Sequence, residues 1–442
     1  MNEFNEHVKV VDSYPGSGKT SWAINYINSL PEDTKILYIT PFLDECKRVQ
    51  NSTNRKFCQP ETRLGNGRKR NHFLSLIRKE ENIASTHALF SDIDDEIISS
   101  LRAANYILIL DEAFQVLDKF NMWGDSDLPY KTSEEMRDNL TRTNIQTLIS
   151  KEFIKINDDY SLEWIDNEHP IDKYKNLKAL VDRGLMFFIH DSILLWSFPY
   201  EIFMPDIFNE VYILTYLFDY QMQRYYYDYF NIQYSKYHIE TINDAYTLTP
   251  TQNNQHDTEW RKRIKSLIEI VDNPKLNKIG DLFYDARNKS YESALSKTWY
   301  DNNQPQIEKV RNNIINYFVN ITKSKSSDRM WTCFSADKKK FKNKTLSVND
   351  QKYWVALNSR STNNFGYKSV LAYPINRYID PFYNAFFYTK NISMSSDGFA
   401  ISEFIQWIWR SRIRNDEPIQ IYIPSCRMRR LLKEFLDNQP IL

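Results

Sequence analysis

Glycine is scarce in this chain. Nine occur in 442 residues, where average usage of about 7% would give roughly 31. A chain this sparing does not place two glycines in one short run without a backbone reason. Gly16 and Gly18, placed close together, therefore mark a local requirement. Cysteine is scarcer still. Cys46, Cys58, Cys333 and Cys426 are scattered with no CxxC pair. That excludes a disulfide framework and a cysteine zinc site, and it fits a reducing compartment. No basic-then-apolar leader is visible at the N-terminus. No apolar run approaches the ~18 residues of a membrane span; residues 185–196, for example, are interrupted by His190 and Asp191. The expected setting is the cytoplasm, with no membrane partner. Net charge is also missing, because 57 basic residues meet 57 acidic ones. A uniformly basic nucleic-acid coat is excluded; local basic patches are not.

What is present is apolar mass. At 42% hydrophobic and 15% aromatic the chain can bury large cores, and its length predicts two or three domains.

Residues 8–30 read VKVVDSYPGSGKTSWAINYINSL. A β-branched run ends in a Pro/Gly turn, and a helical pattern follows with Trp22, Ile24, Ile27 and Leu30 as apolar positions. Strand, glycine turn and helix form the context of a phosphate-binding loop. Glycines let successive N–H groups point at one anion, and the helix adds its positive end. The loop predicts Pro15, Gly16, Ser17, Gly18, Lys19, Thr20 and Ser21 as nucleotide-binding residues. Lys19 would reach the outer phosphates, and Thr20 would offer its hydroxyl to Mg²⁺. The usual pattern is GxxxxGK[ST]; Ser13 stands where its first glycine would be.

Residues 106–114 read YILILDEAF. A continuous apolar run of this kind suits a strand buried in a parallel sheet. Ligands bind at the carboxyl ends of such strands, and Asp111 and Glu112 end this one. That is the place for an Asp on Mg²⁺ and a Glu that orients attacking water.

With both signals in place, the sequence resembles the superfamily 2 DEAD/DEAH-box helicases. Residues 111–114 match the first three letters of that box, with Phe114 replacing the last. The resemblance continues in order along most of the chain. Residues 35–40 (KILYIT) with Pro41 look like motif Ia, and Thr86-His87 like the segment that follows it. Residues 211–217 (VYILTYL), with Thr215, resemble motif III. Residues 330–334 (MWTCF) resemble motif IV, and 358–363 (NSRSTN) resemble motif V. Residues 403–414 (EFIQWIWRSRIR) resemble motif VI. The resemblance implies two tandem RecA-like α/β domains with parallel sheets, and ATP with Mg²⁺ as cofactors. It implies catalytic roles for Glu112, Gln406, Arg410 and a second arginine, either Arg414, favoured because it shares a face with Arg410, or Arg412. It also implies nucleic-acid contacts through Thr40, Pro41, Thr86, His87, Thr215, Arg360, Thr362 and Asn363.

The spacing of Gln406, Arg410 and Arg414 predicts one shared helix face. The run from residue 358 to LAYPINR is most like helicases carried by phages and mobile elements of low-GC bacteria. That makes DNA the favoured partner, with replication proteins beside it, in a bacterial host cytoplasm. No adenine-reading Gln motif precedes the phosphate loop, which disfavours a DEAD-box RNA helicase. Three alternatives share parts of this pattern: a nucleic-acid-stimulated ATPase that remodels without unwinding, a P-loop kinase, and a non-enzymatic nucleic-acid-binding protein.

The expected domains are 1–230 and 231–442. An acidic helical insertion is expected at about 115–180 and a helical segment at about 255–325. Strands are expected near 330–334, 353–357, 369–373 and 419–423. The neutral total hides segregation. Residues 47–79 hold ten basic residues against Glu61 alone, and residues 323–344 hold eight against Asp328 and Asp337. Each stretch follows or surrounds a motif that the resemblance turns towards nucleic acid. Phosphate neutralisation is the direct use of such patches.

Overall fold

A computed structural model describes residues 7–120, 142–166, 174–251, 255–281, 293–346, 353–357 and 363–441. It divides into two compact units. The first comprises 1–13, 17–251 and 380–394; the second comprises 14–16, 252–379 and 395–442.

The first unit is built on seven strands: β1 (Val8–Asp12), β2 (Ile36–Thr40), β3 (Ile83–Thr86), β4 (Tyr106–Asp111), β10 (Phe208–Thr215), β11 (Ser235–Ile242) and β12 (Ala245–Pro250). Between β4 and β10 the chain adds β5 (Leu117–Lys119), β6 (Ile154–Ile156), β7 (Leu162–Trp164), β8 (Met186–Ile189) and β9 (Ile193–Ser197). The main sheet runs β12-β11-β1-β10-β4-β2-β3. Every neighbouring pair is parallel except β11–β12. The glycine-loop strand and the acidic strand are thus separated by β10, and both end at the same edge of the sheet.

Period-two alternation sorts the side chains. Val11, Tyr38, Ile109 and Leu214 face a core that holds α1 (Lys19–Ser29) and α2 (Leu43–Ser52), through Ala23, Ile27, Cys46 and Val49. Val10, Ile39, Leu110 and Ile213 face the other core. There they meet α3 (Lys69–Arg78) and the helix Asp95–Ala104, through Phe73, Ile77, Ile97 and Leu101. β4 is buried along its whole length. Each large apolar side chain so enclosed contributes about 1.5–3 kcal/mol.

The segment expected to be a helical insertion at 115–180 is corrected to a mixed subdomain. Among its described residues are β5 and the hairpin β6-β7, and β5 joins β9 and β8, beyond residue 180, in an antiparallel sheet. Its own core includes Ile145, Leu148, Trp164, Leu177, Met186 and Phe188. Strands of three residues in a polar stretch leave too few periods to read. The expected boundary at 230 moves to 251, because β11 pairs with β1 and β12 with β11. The helix Pro381–Tyr388, from the C-terminal half, also belongs to this unit. Phe386 stacks on Tyr229 at 4.3 Å, and Phe382 and Phe387 enter the same core.

The second unit has one parallel sheet, β13-β16-β15-β14. Its strands are β13 (Ile268–Ile270), β14 (Arg329–Trp331), β15 (Val370–Ala372) and β16 (Ile419–Tyr422). β13 interrupts the expected helical segment at 255–325. The strand expected at 353–357 is a single bridge at Trp354. Asn376 and Arg427 pin this unit internally. The Arg427 guanidinium donates to the Asn376 side chain at 3.0 Å and to the Arg377 carbonyl at 2.7 Å. Both units are α/β with parallel sheets, which is the expected fold class.

Candidate phosphate and acid site

The loop after β1 has the backbone that its glycines permit. Gly16 has φ 86° and Gly18 φ 92°, dihedrals that L side chains rarely adopt. Gly18 is also the N-cap of α1. Among the described residues no side chain caps that helix end, and no acidic residue sits in its first turn. Its leading N–H groups and positive dipole end are therefore left to the loop. Ser17, inside the loop, is 8% exposed, and its hydroxyl is buried with no hydrogen-bond partner among the described residues. A buried polar group without a partner costs about 1–3 kcal/mol, so a ligand oxygen here would relieve a standing penalty. Thr20 is the second residue of α1, and Ser21 follows it. Pro15 is half-buried.

Ser13 explains its departure from the usual glycine. Its hydroxyl accepts the Ile239 N–H at 2.7 Å, tying the loop to β11. Its own N–H donates to the Thr215 carbonyl at 3.0 Å. Its carbonyl accepts Lys19 Nζ at 2.6 Å. Three bonds fix the loop's start, and no left-handed dihedral is needed there.

Four charges converge at these strand ends. Burial pulls the Lys19 ammonium below its ordinary value; Glu112, Asp111 and Asp12, in that order, oppose the shift. Asp111 is 9% exposed. Burial first, and then Glu112, push its carboxyl up to about 7, while Tyr38 and Lys19 act the other way. Tyr38 Oη donates to Asp111 Oδ2 at 2.9 Å. Glu112 is half-buried with φ 69°, and its N–H bonds the Leu214 carbonyl at 2.9 Å. A left-handed glutamate costs about 1–3 kcal/mol and persists where surrounding structure enforces it, commonly at functional sites. Here the turn lifts the Glu112 side chain off the strand end that buries Asp111.

His87 begins the short helix after β3. Its Nε2 lies 3.0 Å from the Asp111 carbonyl. A carbonyl only accepts, so this nitrogen carries the proton. The side chain of His87 is thus joined to the acid strand. Phe114, where the helicase box carries Asp or His, fills a buried aromatic cluster. Its ring meets Phe198 at 4.7 Å, His87 at 5.3 Å and Phe90 at 5.6 Å. A carboxylate in that place would be desolvated without a partner.

Some expected nucleic-acid contacts are corrected. Thr40 and Thr215 are fully buried. Thr215 Oγ1 donates to Gln221 Oε1 at 2.9 Å, and Gln221 Nε2 donates to the Tyr216 carbonyl. Thr215 is an internal tie rather than a surface contact. Thr40 Oγ1 is buried at the end of β2 with no partner among the described residues. Pro41 and Thr86 are half-buried. Arg360 and Thr362 lie outside the described residues. Asn363 begins a short 3-10 turn.

The basic stretch at 47–79 is largely spent within the unit. Arg55 donates to the carbonyls of Ile27, Leu30, Pro31, Glu32 and Thr34, closing the end of α1. Arg70 and Arg78 pair with Asp94 and Glu96. Arg48 pairs with Glu45, and Arg63 with Glu61. Lys56, Lys69 and Lys79 are exposed.

In the second unit the single-face expectation is corrected. The helix Ser396–Ile408 carries Gln406 and ends before Arg410. Ser411 is extended, and Arg414 lies on a separate 3-10 turn, Arg412–Asn415. Arg410 is 5% exposed and donates to the carbonyls of Ala356 at 2.8 Å and Leu357 at 3.1 Å. Arg410→Ala would leave both carbonyls unpaired and is expected to destabilise the protein by about 2–3 kcal/mol. Thermal denaturation checks this; an unchanged melting temperature would contradict it.

Sequence reasoning missed Asp12, Tyr38 and Gln221. Asp12 accepts the N–H groups of Leu217 at 2.8 Å and Phe218 at 3.1 Å, binding the end of β1 to the turn after β10. Burial pushes its carboxyl up to about 6. A charge closing the run VKVVD was the signal that could have found it.

The first unit is thus an α/β fold with a glycine loop between its first strand and first helix, at the same edge of a mainly parallel sheet as the acidic strand end. The chain belongs to the family of the SPbeta prophage-derived uncharacterized protein YonV of Bacillus subtilis (strain 168), to which it is 37% identical over 98% of this chain and 100% of that one. Residues 262–436 match the YonV C-terminal Rossmann-like domain. A solved XPD helicase structure, 11% identical, aligns over 99% of this chain and 96% of its own with a TM-score of 0.44.

Proposed function

We propose that the first unit binds and hydrolyses ATP, and that hydrolysis drives movement on nucleic acid, with DNA the favoured track. The observation that carries this reading is the convergence at one sheet edge. An uncapped helix end, a buried orphan hydroxyl at Ser17, the Lys19 ammonium and the Asp111–Glu112 pair all meet there.

The donor set fits both phosphate and Mg²⁺. Lys19 can leave the Ser13 carbonyl for a phosphate oxygen, with Gly18 and the leading N–H groups of α1 beside it. Thr20 and Asp111 would hold Mg²⁺, and few protein ligands are needed, because that ion keeps several of its waters. When bound, Mg²⁺ neutralises phosphate charge. Glu112 would hold and deprotonate the attacking water. Asp12 ties the end of β1 to the turn after β10, and the Thr215–Gln221 bond holds that turn.

Nucleic-acid coupling rests on the ordered helicase motifs in the sequence and on exposed cations such as Lys56, Lys69 and Lys79. The relative's prophage origin supports a phage setting for the activity. The closest second reading is an ATPase that translocates without unwinding; it uses the same site. A strand-displacement assay with parallel ATPase measurement separates them. The helicase reading predicts ATP-dependent release of a labelled strand. Nucleic-acid-stimulated ATPase without release selects the translocase.

A further inference from the structure

We propose that Tyr246 is the base platform of the nucleotide site, stacking on the purine of a bound nucleoside triphosphate whose phosphates occupy the glycine loop. This rests on the phosphate-site reading above and adds the residue that would hold the nucleoside. β11 and β12 form a hairpin whose two turn residues, Asn243 and Asp244, have φ 50° and 62°. Positive dihedrals at both positions match the twist of paired strands and fix the register. In that register Leu248 and Tyr246 share one face of β12, two residues apart. Leu248 packs against the core beneath α1. Tyr246, one step further along, runs beyond that core and lies on the loop.

Its ring occupies the space beside Gly18. A Cβ added there would fall 2.2 Å from Tyr246 Cε1 and 2.5 Å from Cδ1. Gly18 is thus required twice, by its dihedral and by the ring. Tyr246 remains 38% exposed, so a large aromatic surface stands open next to the helix end and the buried Ser17 hydroxyl. The core does not need the ring there. A planar base projecting from phosphates held in the loop would cover it. A ring face reads no hydrogen-bond pattern, and adenine and guanine should be held about equally.

The test is calorimetric titration of the full chain with Mg-ATP, Mg-GTP and inorganic tripolyphosphate. Tyr246→Ala should weaken ATP and GTP about tenfold each, within the range of base–aromatic stacking. Tripolyphosphate, which has no base, should bind within twofold of wild type. Tyr246→Phe and Tyr246→Trp should retain ATP affinity. Equal loss of ATP and tripolyphosphate would overturn the proposal, because the ring would then be shaping the loop. Unchanged or tighter ATP binding would overturn it too, because the ring would be a bystander or a cover. Lys19→Ala should lose both ligands, which reports on the phosphate site independently. Wild-type protein that binds neither ligand overturns the phosphate-site reading itself, and the platform with it.

Discussion

Glu112→Gln is expected to lower ATP turnover by about 10²–10⁴-fold, the usual contribution of a positioned general base, while ATP affinity stays within a few-fold of wild type. The amide keeps the size and hydrogen-bond reach of the carboxylate but cannot take a proton from water. The left-handed backbone at this position has φ 69°, and Gln carries the same strain as Glu, so the melting temperature should not move. That separates lost chemistry from lost structure. Single-turnover hydrolysis and equilibrium binding, run on one preparation, give both numbers. Retained turnover would remove Glu112 from the reaction.

Asp111→Asn is expected to stabilise the metal-free protein at high pH while weakening Mg²⁺-dependent nucleotide binding. The sign follows from the carboxyl's raised midpoint, from an ordinary 3.8 to about 7. Between those values the folded chain holds a proton that the unfolded chain has released. Folded stability therefore falls as pH rises from about 4 to about 7, and the loss persists above that. At its limit the loss is about 4 kcal/mol, three pH units at about 1.36 kcal/mol each. Asparagine resembles the protonated acid and can still accept the Tyr38 hydroxyl. Variant and wild type should therefore denature alike near pH 4, and the variant should be more stable at pH 8. Urea denaturation in chelator at the two pH values measures the gap. A variant less stable than wild type at pH 8 would show that the Asp111 carboxylate is satisfied by the fold rather than held for a cation.

The site's two chemical signals were legible because each is local. Gly16, Gly18 and Lys19 sit in one turn between a β-branched strand and an apolar-patterned helix. Asp111 and Glu112 close a continuous apolar strand, and the parallel sheet brings both ends to one edge. What stayed hidden depends on distant partners. Arg70 and Arg78 read as part of a basic patch, but Asp94 and Glu96, some twenty residues away, neutralise them. Thr40 and Thr215 carry hydroxyls that suggest a surface, yet their strands are covered on both sides. The periodicity of residues 403–414 continues past Ile408 with no Gly or Pro to mark a stop. The helix ends there because Arg410 turns inward to the carbonyls of residues 356 and 357. Phe114 read as a mere departure from a motif; its aromatic neighbours, all remote in sequence, give it a packing role.

We propose that the phosphate site at Lys19 is coupled to nucleic acid. Steady-state ATP hydrolysis by the purified full chain, titrated with single-stranded DNA and RNA in parallel, tests it most directly. The predicted result is turnover that rises severalfold with the strand, more with DNA, and disappears in Lys19→Ala. Turnover indifferent to any nucleic acid, or surviving in Lys19→Ala, would contradict it.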